Sequence, residues 1–221
     1  LLKEAADCVV NCSMELGGNA PFLVFEDADI DDAVVGAMIA KMRNGGEACT
    51  AANRFHVHEN VYAEFSEKFA TAMNAFKVGP GLEPGVELGP MINEWAIKDI
   101  DKLVQDAKAK GSEILAGGAP LERTGYYYPP TVLGKVSSDA DILREEVFGP
   151  VAPLVSFSDD DEAIHAANDT ECGLVAYLYT QDLKRGMAVS ERLDAGMIGL
   201  NRGLVSDPAA PFGGTKQSGL G

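Results

Sequence analysis

The chain is short of tryptophan, histidine and cysteine, with one Trp, three His and four Cys in 221 residues. The cysteines, Cys8, Cys12, Cys49 and Cys172, form no Cys-x-x-Cys pair, and no histidine stands near Cys8 or Cys12. That pattern excludes a zinc site of ordinary ligand spacing, so no metal is expected. It also argues against a disulfide framework, because dispersed thiols in a domain of this size suit a reducing compartment. A cytoplasmic location is the expectation. Basic residues are scarce as well: 18 Lys and Arg face 34 Asp and Glu, for a formal charge of −16. Such a surface repels phosphate backbones and excludes nucleic acid as a partner. No apolar run is long enough to span a bilayer. The opening segment LLKEAADCVV lacks the basic-then-apolar order of a signal peptide. Without that signal, the sequons at Asn11 and Asn168 are chance matches.

What is present is a foldable core. Apolar residues make up 46% of the chain, enough for one large domain or two small ones, and 24 Gly and 11 Pro suit many short connections. Apolar periodicity predicts strands at 8–16 and 21–26, then a helix at 30–43 with Asp27 or Asp29 as N-cap and Gly45-Gly46 as its stop. Further strands are predicted at 54–58, 113–116, 131–136, 151–157, 174–180 and 196–200. Helices are predicted at 60–76, 93–110, 159–168 and 182–194. Residues 79–90 and 202–221 read as irregular, on their Pro and Gly content. This alternation predicts an α/β fold, a mostly parallel sheet flanked by helices, with reactive residues in loops beyond the strand ends.

Four segments hold candidate chemistry. Cys49 follows Gly45-Gly46-Glu47-Ala48, on a flexible link between helix and strand. Its position alone leaves two readings open, a reactive thiol or a small buried hydrophobe. The helix before it presents its negative end, so a thiolate there needs Arg43 or a nicotinamide ring for support. Glu15 ends an apolar stretch before Gly17-Gly18. It is either a surface carboxylate or, if desolvated in a cleft, a general base. Glu145 and Glu146 alternate along an extended chain, so one of them faces any given cleft, with Phe148 on the same side as Glu146. Either carboxylate could accept ribose hydroxyls; the bland reading is a charged turn. The segment Pro211-Phe212-Gly213-Gly214-Thr215-Lys216 lacks phosphate-loop spacing and fits a close-packed backbone corner.

Together these segments resemble the aldehyde dehydrogenase family. Glu15-Leu-Gly-Gly, Gly46-Glu-Ala-Cys49-Thr, Glu146-Val-Phe148-Gly-Pro150-Val and Pro211-Phe-Gly-Gly-Thr-Lys-Gln-Ser-Gly219 occur in the family's order, with Cys49 placed 34 positions after Glu15. The wording of Glu15–Phe22, Phe25–Ile30 and Gly203–Ser206 is most similar to the succinate-semialdehyde dehydrogenases. The resemblance implies Cys49 as nucleophile and Glu15 as general base. Glu146 and Phe148 would contact the nicotinamide side of NAD or NADP. Arg43 and Ser206 would grip the distal carboxylate of a small aldehyde, with Asn201 near the substrate. Ala51 stands where several members of this subgroup carry a second cysteine, so a redox pair with Cys49 is ruled out. Thr215 stands where Val or Tyr is more usual.

The resemblance also divides the chain. Residues 1–18 would end a cofactor-domain segment and link, and 19–221 would form the catalytic domain. The family's cofactor-binding domain and its oligomerisation strand would lie outside these residues, in a full-length homodimer or tetramer. The fragment alone is expected to be inactive. Two other classes compete: a cysteine hydrolase pairing Cys49 with His56 or His58, which share one face of a strand, and a non-catalytic interaction domain on the same scaffold. An aldehyde dehydrogenase with another substrate is a third possibility.

Overall fold

The structure, a computed structural model, describes residues 1–221. Its first element, α1 (Leu2–Asp7), is a single exposed turn and a half. The strand predicted at 8–16 does not form: Val9 and Val10 lie in solvent, and only Glu15 pairs, in an isolated bridge to Gly219. The apolar residues there have no neighbouring strand to bury them, and Val9 itself adopts a left-handed φ of 54°.

From residue 20 the predicted alternation holds, with ends that differ by at most about two residues. The strands are β1 (Ala20–Val24), β2 (Ala52–His58), β3 (Glu113–Ala116), β4 (Thr131–Gly134), β5 (Val151–Phe157), β6 (Cys172–Gly173), β7 (Val175–Tyr179), β8 (Met197–Leu200) and β9 (Thr215–Lys216). The helices are α2 (Ile30–Met42), α3 (Glu59–Asn74), α4 (Glu94–Ala109), α5 (Asp160–Asn168) and α6 (Leu183–Arg192). Side-chain caps explain several starts. Asp29 accepts from the Asp32 N–H at α2, Asn93 from Ala96 at α4, and Asp159 and Asp182 do the same at α5 and α6. The tail is less irregular than expected, since β9 pairs antiparallel with β6.

Seven strands form one sheet in the order β3-β4-β5-β2-β1-β7-β8. Every pairing is parallel except β3 with β4, at one edge. β1 sits inside the sheet with all five residues buried, as expected of a strand covered on both faces. Residues Phe22, Val24, Phe55 and Val57 turn toward α2 and α3, where the largest core gathers Ala33, Ala37, Phe65 and Phe69. Leu23 and Phe25 turn the other way, toward α5 and α6. A third cluster packs α4 over Leu133 and Val151. Crossovers carry the chain from the far end of each strand back to the start of the next, which sets the N-terminal ends of β1, β2, β5 and β7 side by side.

Candidate active site

Those N-terminal ends hold most of the candidate residues. Open parallel sheets usually place their chemistry beyond the carboxyl ends of the strands. Here Glu15 precedes β1, Cys49 precedes β2 and Glu146 precedes β5, all at the opposite end. Gly18 is the junction. A Cβ there would lie 2.1 Å from the Cys49 carbonyl oxygen, so only glycine lets the entry to β1 press against the Cys49 peptide.

Cys49 is half-buried at the edge of the main core. Its segment is a braced turn rather than the flexible link expected. Asn44 donates to the Glu47 carbonyl at 2.7 Å, the Ala51 N–H donates to Ala48 at 2.9 Å, and the Tyr177 hydroxyl donates to the Thr50 carbonyl at 2.8 Å. The turn is reachable because Asn44, Gly45 and Gly46 all take positive φ and reverse the chain after α2. The Cys49 N–H donates to nothing within the chain.

Glu15 is exposed, not desolvated. Its backbone is clasped by the Gly-rich tail: Leu16 N–H donates to Ser218, and Leu220 N–H donates to Met14. The Ser218 hydroxyl donates to Gly17 at 2.7 Å and accepts from the Gly173 N–H. The tail is therefore the backbone corner that its sequence suggested. Glu15 stands three positions before Gly18, so their Cα atoms lie within about 11 Å of each other.

Glu146 is half-buried while Glu145 is exposed, so one of the pair faces inward, although the segment is a loop and not an extended strand. Its Oε1 accepts from the Gly18 N–H at 2.9 Å, and a Cβ on Gly17 would stand 2.7 Å from Oε2. Burial raises the Glu146 carboxyl above the usual range, against the pull of the Gly18 N–H and of Lys41. Phe148, held at a φ of 43°, shares with Glu146 an open cleft of about 330 Å³ that Glu47, Ile92 and Trp95 also line.

Lys41 escaped sequence reasoning. It is fully buried, and its ammonium donates to Asn53 Oδ1 at 2.9 Å. Burial pushes it down to about 7, opposed by Glu146. The signal was legible, because position 41 continues the apolar stripe of Ile30, Ala33, Val34 and Ala37 at helical spacing.

Arg43 is exposed at the end of α2, and both it and Cys49 bear electrostatically on the Tyr177 hydroxyl. Ser206 is half-buried in the loop after β8, which crosses α2 where Gly203 meets the Gly36 carbonyl. That crossing is seven residues, or about 10 Å of helix, before Arg43. No hydrogen bond joins Ser206 to Arg43. Asn201 stands at the carboxyl end of β8. Its amide both accepts from the Thr180 N–H and donates to the Thr180 carbonyl, extending the sheet by one side chain.

The histidines do not serve Cys49. His56 and His58 lie on the face of β2 opposite the main core that Cys49 touches. His56 lines a small cavity with Arg54, Arg144 and Ala166, and the His58 ring packs edge-on against Phe157. Burial and then Arg54 push His56 down to about 3, so it is a neutral core residue rather than the partner of a thiolate.

The model of the aldehyde dehydrogenase family matches residues 1–221. The chain belongs to the aldehyde dehydrogenase family. It is 55% identical over its whole length to the succinate-semialdehyde dehydrogenase of Paenarthrobacter nicotinovorans and covers 49% of that relative. It is 48% identical to the glutarate-semialdehyde dehydrogenase of Pseudomonas putida, again over its whole length and 46% of the relative. Among solved structures, succinate-semialdehyde dehydrogenase from Burkholderia pseudomallei superposes with a TM-score of 0.97 at 50% identity, over all of this chain and 46% of that one. The chain thus spans about half the length of the aldehyde dehydrogenases it matches. No helix is long and apolar enough to cross a membrane.

Proposed function

We propose that these residues are the catalytic part of an enzyme that oxidises succinate semialdehyde to succinate with NAD or NADP. One observation carries the reading: Gly18 joins the three groups the chemistry needs. Its N–H holds Glu146, its missing Cβ makes room for the Cys49 peptide, and Glu15 lies three residues upstream. Residues 1–18 are taken as the end of a cofactor-domain segment and link, and 19–221 as the catalytic domain. The other half of the relatives' length would supply most of the cofactor contacts and the assembly of a homodimer or tetramer.

The Cys49 thiolate adds to the aldehyde carbon. The oxyanion that forms takes a hydrogen bond from the uncommitted Cys49 N–H. A bound nicotinamide supplies the hydride acceptor that turns the adduct into a thioester. Glu15, open to water, removes a proton from the water that attacks the thioester carbon, and the thiolate leaves. The residues fit such a cofactor: Glu146 has Oε2 free to accept ribose hydroxyls, and the exposed Phe148 ring forms one wall of the same cleft. Arg43 offers a planar fork to the substrate's far carboxylate, with Ser206 on the loop that approaches the same helix. Asn201, tied to Thr180, stands at the start of that loop and is read as a residue near the substrate.

Kinetics on the full-length enzyme test this. Cys49→Ala abolishes turnover, and Glu15→Gln lowers kcat by about 100-fold or more. Arg43→Ala raises KM for succinate semialdehyde by about 10-fold to 100-fold and leaves butanal untouched. Equal losses on both aldehydes would remove the carboxylate reading. A higher kcat/KM for glutarate semialdehyde, one methylene longer, would move the assignment to that substrate.

A further inference from the structure

We infer that Tyr177 is a positioning residue for the nucleophile, its hydroxyl fixing the turn that carries Cys49. The inference rests on the reading of Cys49 as the attacking group. Tyr177 stands on β7 opposite Phe22 of β1, and its ring lies 5.9 Å from the Phe22 ring in the main core. The phenol is 2% exposed, and its hydroxyl donates to the Thr50 carbonyl at 2.8 Å. This is the one side-chain hydrogen bond made to residues 48–51. The turn is also held by its own Ala51-to-Ala48 bond, by the Asn44 bonds to Glu47 before it, by the packing of Cys49 on the main core and by the backbone contact with Gly18. Without the phenol, a buried carbonyl next to Cys49 would lose its partner, and the turn would shift to recover one.

The placement of the ring is built in. A Cβ on Gly199 would come within 2.9 Å of it, so β8 leaves space for the ring by carrying glycine there. Burial raises the phenol above its ordinary range, which keeps the proton on the oxygen and the hydroxyl a donor at any working pH. Arg43 and Cys49 both act electrostatically on this hydroxyl, so it lies near the thiol and near the guanidinium proposed for the substrate carboxylate. A small shift of the turn would therefore displace the sulfur relative to a bound aldehyde. Misplacement of that kind lowers the rate of the chemical step more than it lowers binding.

The test uses the full-length enzyme carrying Tyr177→Phe, which keeps the ring and removes the donor. The expected result is a fall of about tenfold in kcat for both succinate semialdehyde and butanal, with KM changed less than about twofold. Alkylation of Cys49 by iodoacetamide, followed by mass spectrometry, should slow by a similar factor with no aldehyde or cofactor present. Tyr179→Phe, in the same core and without a hydrogen bond to the turn, should leave both rates unchanged. Para-aminophenylalanine at position 177 restores a donor and should restore both rates. It also keeps the inference open to test should the Phe variant not fold. A lower melting temperature with kcat and alkylation intact would overturn the inference, as would a rise in KM confined to succinate semialdehyde. If alkylating Cys49 fails to inactivate the wild-type enzyme, the nucleophile assignment fails instead, a separate outcome.

Discussion

Lys41 is the residue whose chemistry departs furthest from its surroundings. A fully buried lysine with one hydrogen bond, to Asn53, is an unfavourable place for a charge. Its pKa falls from 10.5 to about 7 on folding. Between those values the unfolded chain binds a proton that the folded chain releases, so stability rises with pH from about 7 toward 10.5. Below about 7 both states are charged and the full penalty applies. Lys41→Met should therefore stabilise the fold at pH 7, by about 1–4 kcal/mol. The gain should shrink as pH is raised to 9. Urea unfolding at the two pH values checks this, and a gain that does not depend on pH would show that desolvation is not its cause. Lys41 bears on Glu146, so the same variant should raise the Glu146 carboxyl further and weaken cofactor binding in the full-length enzyme.

At the scale of elements, the sequence exposed more of the fold than of the site's geometry. Helices with an Asp or Asn cap and strands buried on both faces were readable from spacing alone. The missing strand at 8–16 was not, because a local apolar pattern says nothing about whether a neighbouring strand exists to pair with it. Gly17-Gly18 stood out in the sequence, but only the packing of β1 against the turn before β2 gives the reason for Gly18. That reason makes a prediction. Gly18→Ala sets a methyl 2.1 Å from the Cys49 carbonyl oxygen, and both groups belong to backbone that cannot step aside cheaply. Stability should fall by about 1–3 kcal/mol, and kcat of the full-length enzyme by about 100-fold. Gly89→Ala, where a Cβ meets nothing, should leave both unchanged or slightly stabilise the fold. Equal behaviour of the two variants in thermal melts and kinetics would remove Gly18 from its place at the junction.

On the whole-molecule scale two forces oppose each other on one surface. The formal charge of −16 keeps copies apart. Around Glu15, however, Leu16, Phe212 and Leu220 are exposed at 44%, 41% and 72%, and Val9 and Val10 lie just upstream at 91% and 59%. The backbone bonds that clasp the tail to residues 14–16 gather Leu16 and Leu220 in one place. Exposed apolar side chains gathered beside the carboxylate proposed as base make a surface that normally has a cover. The 221-residue chain on its own should therefore self-associate. Salt decides which force governs: at low ionic strength repulsion holds the copies apart, and screening it leaves the apolar attraction. Sedimentation of the purified chain should show association rising between about 20 mM and 500 mM salt. Weaker association at high salt would mean that charge pairing, not apolar contact, joins the copies. The same preparation should reduce NAD or NADP negligibly with succinate semialdehyde present, while iodoacetamide still labels Cys49. The thiol and its braced turn belong to these residues, and on the proposed reading most of the cofactor's contacts lie outside them. Robust cofactor reduction by the isolated chain would show that Glu146, Phe148 and the cleft beside them suffice to hold the nicotinamide.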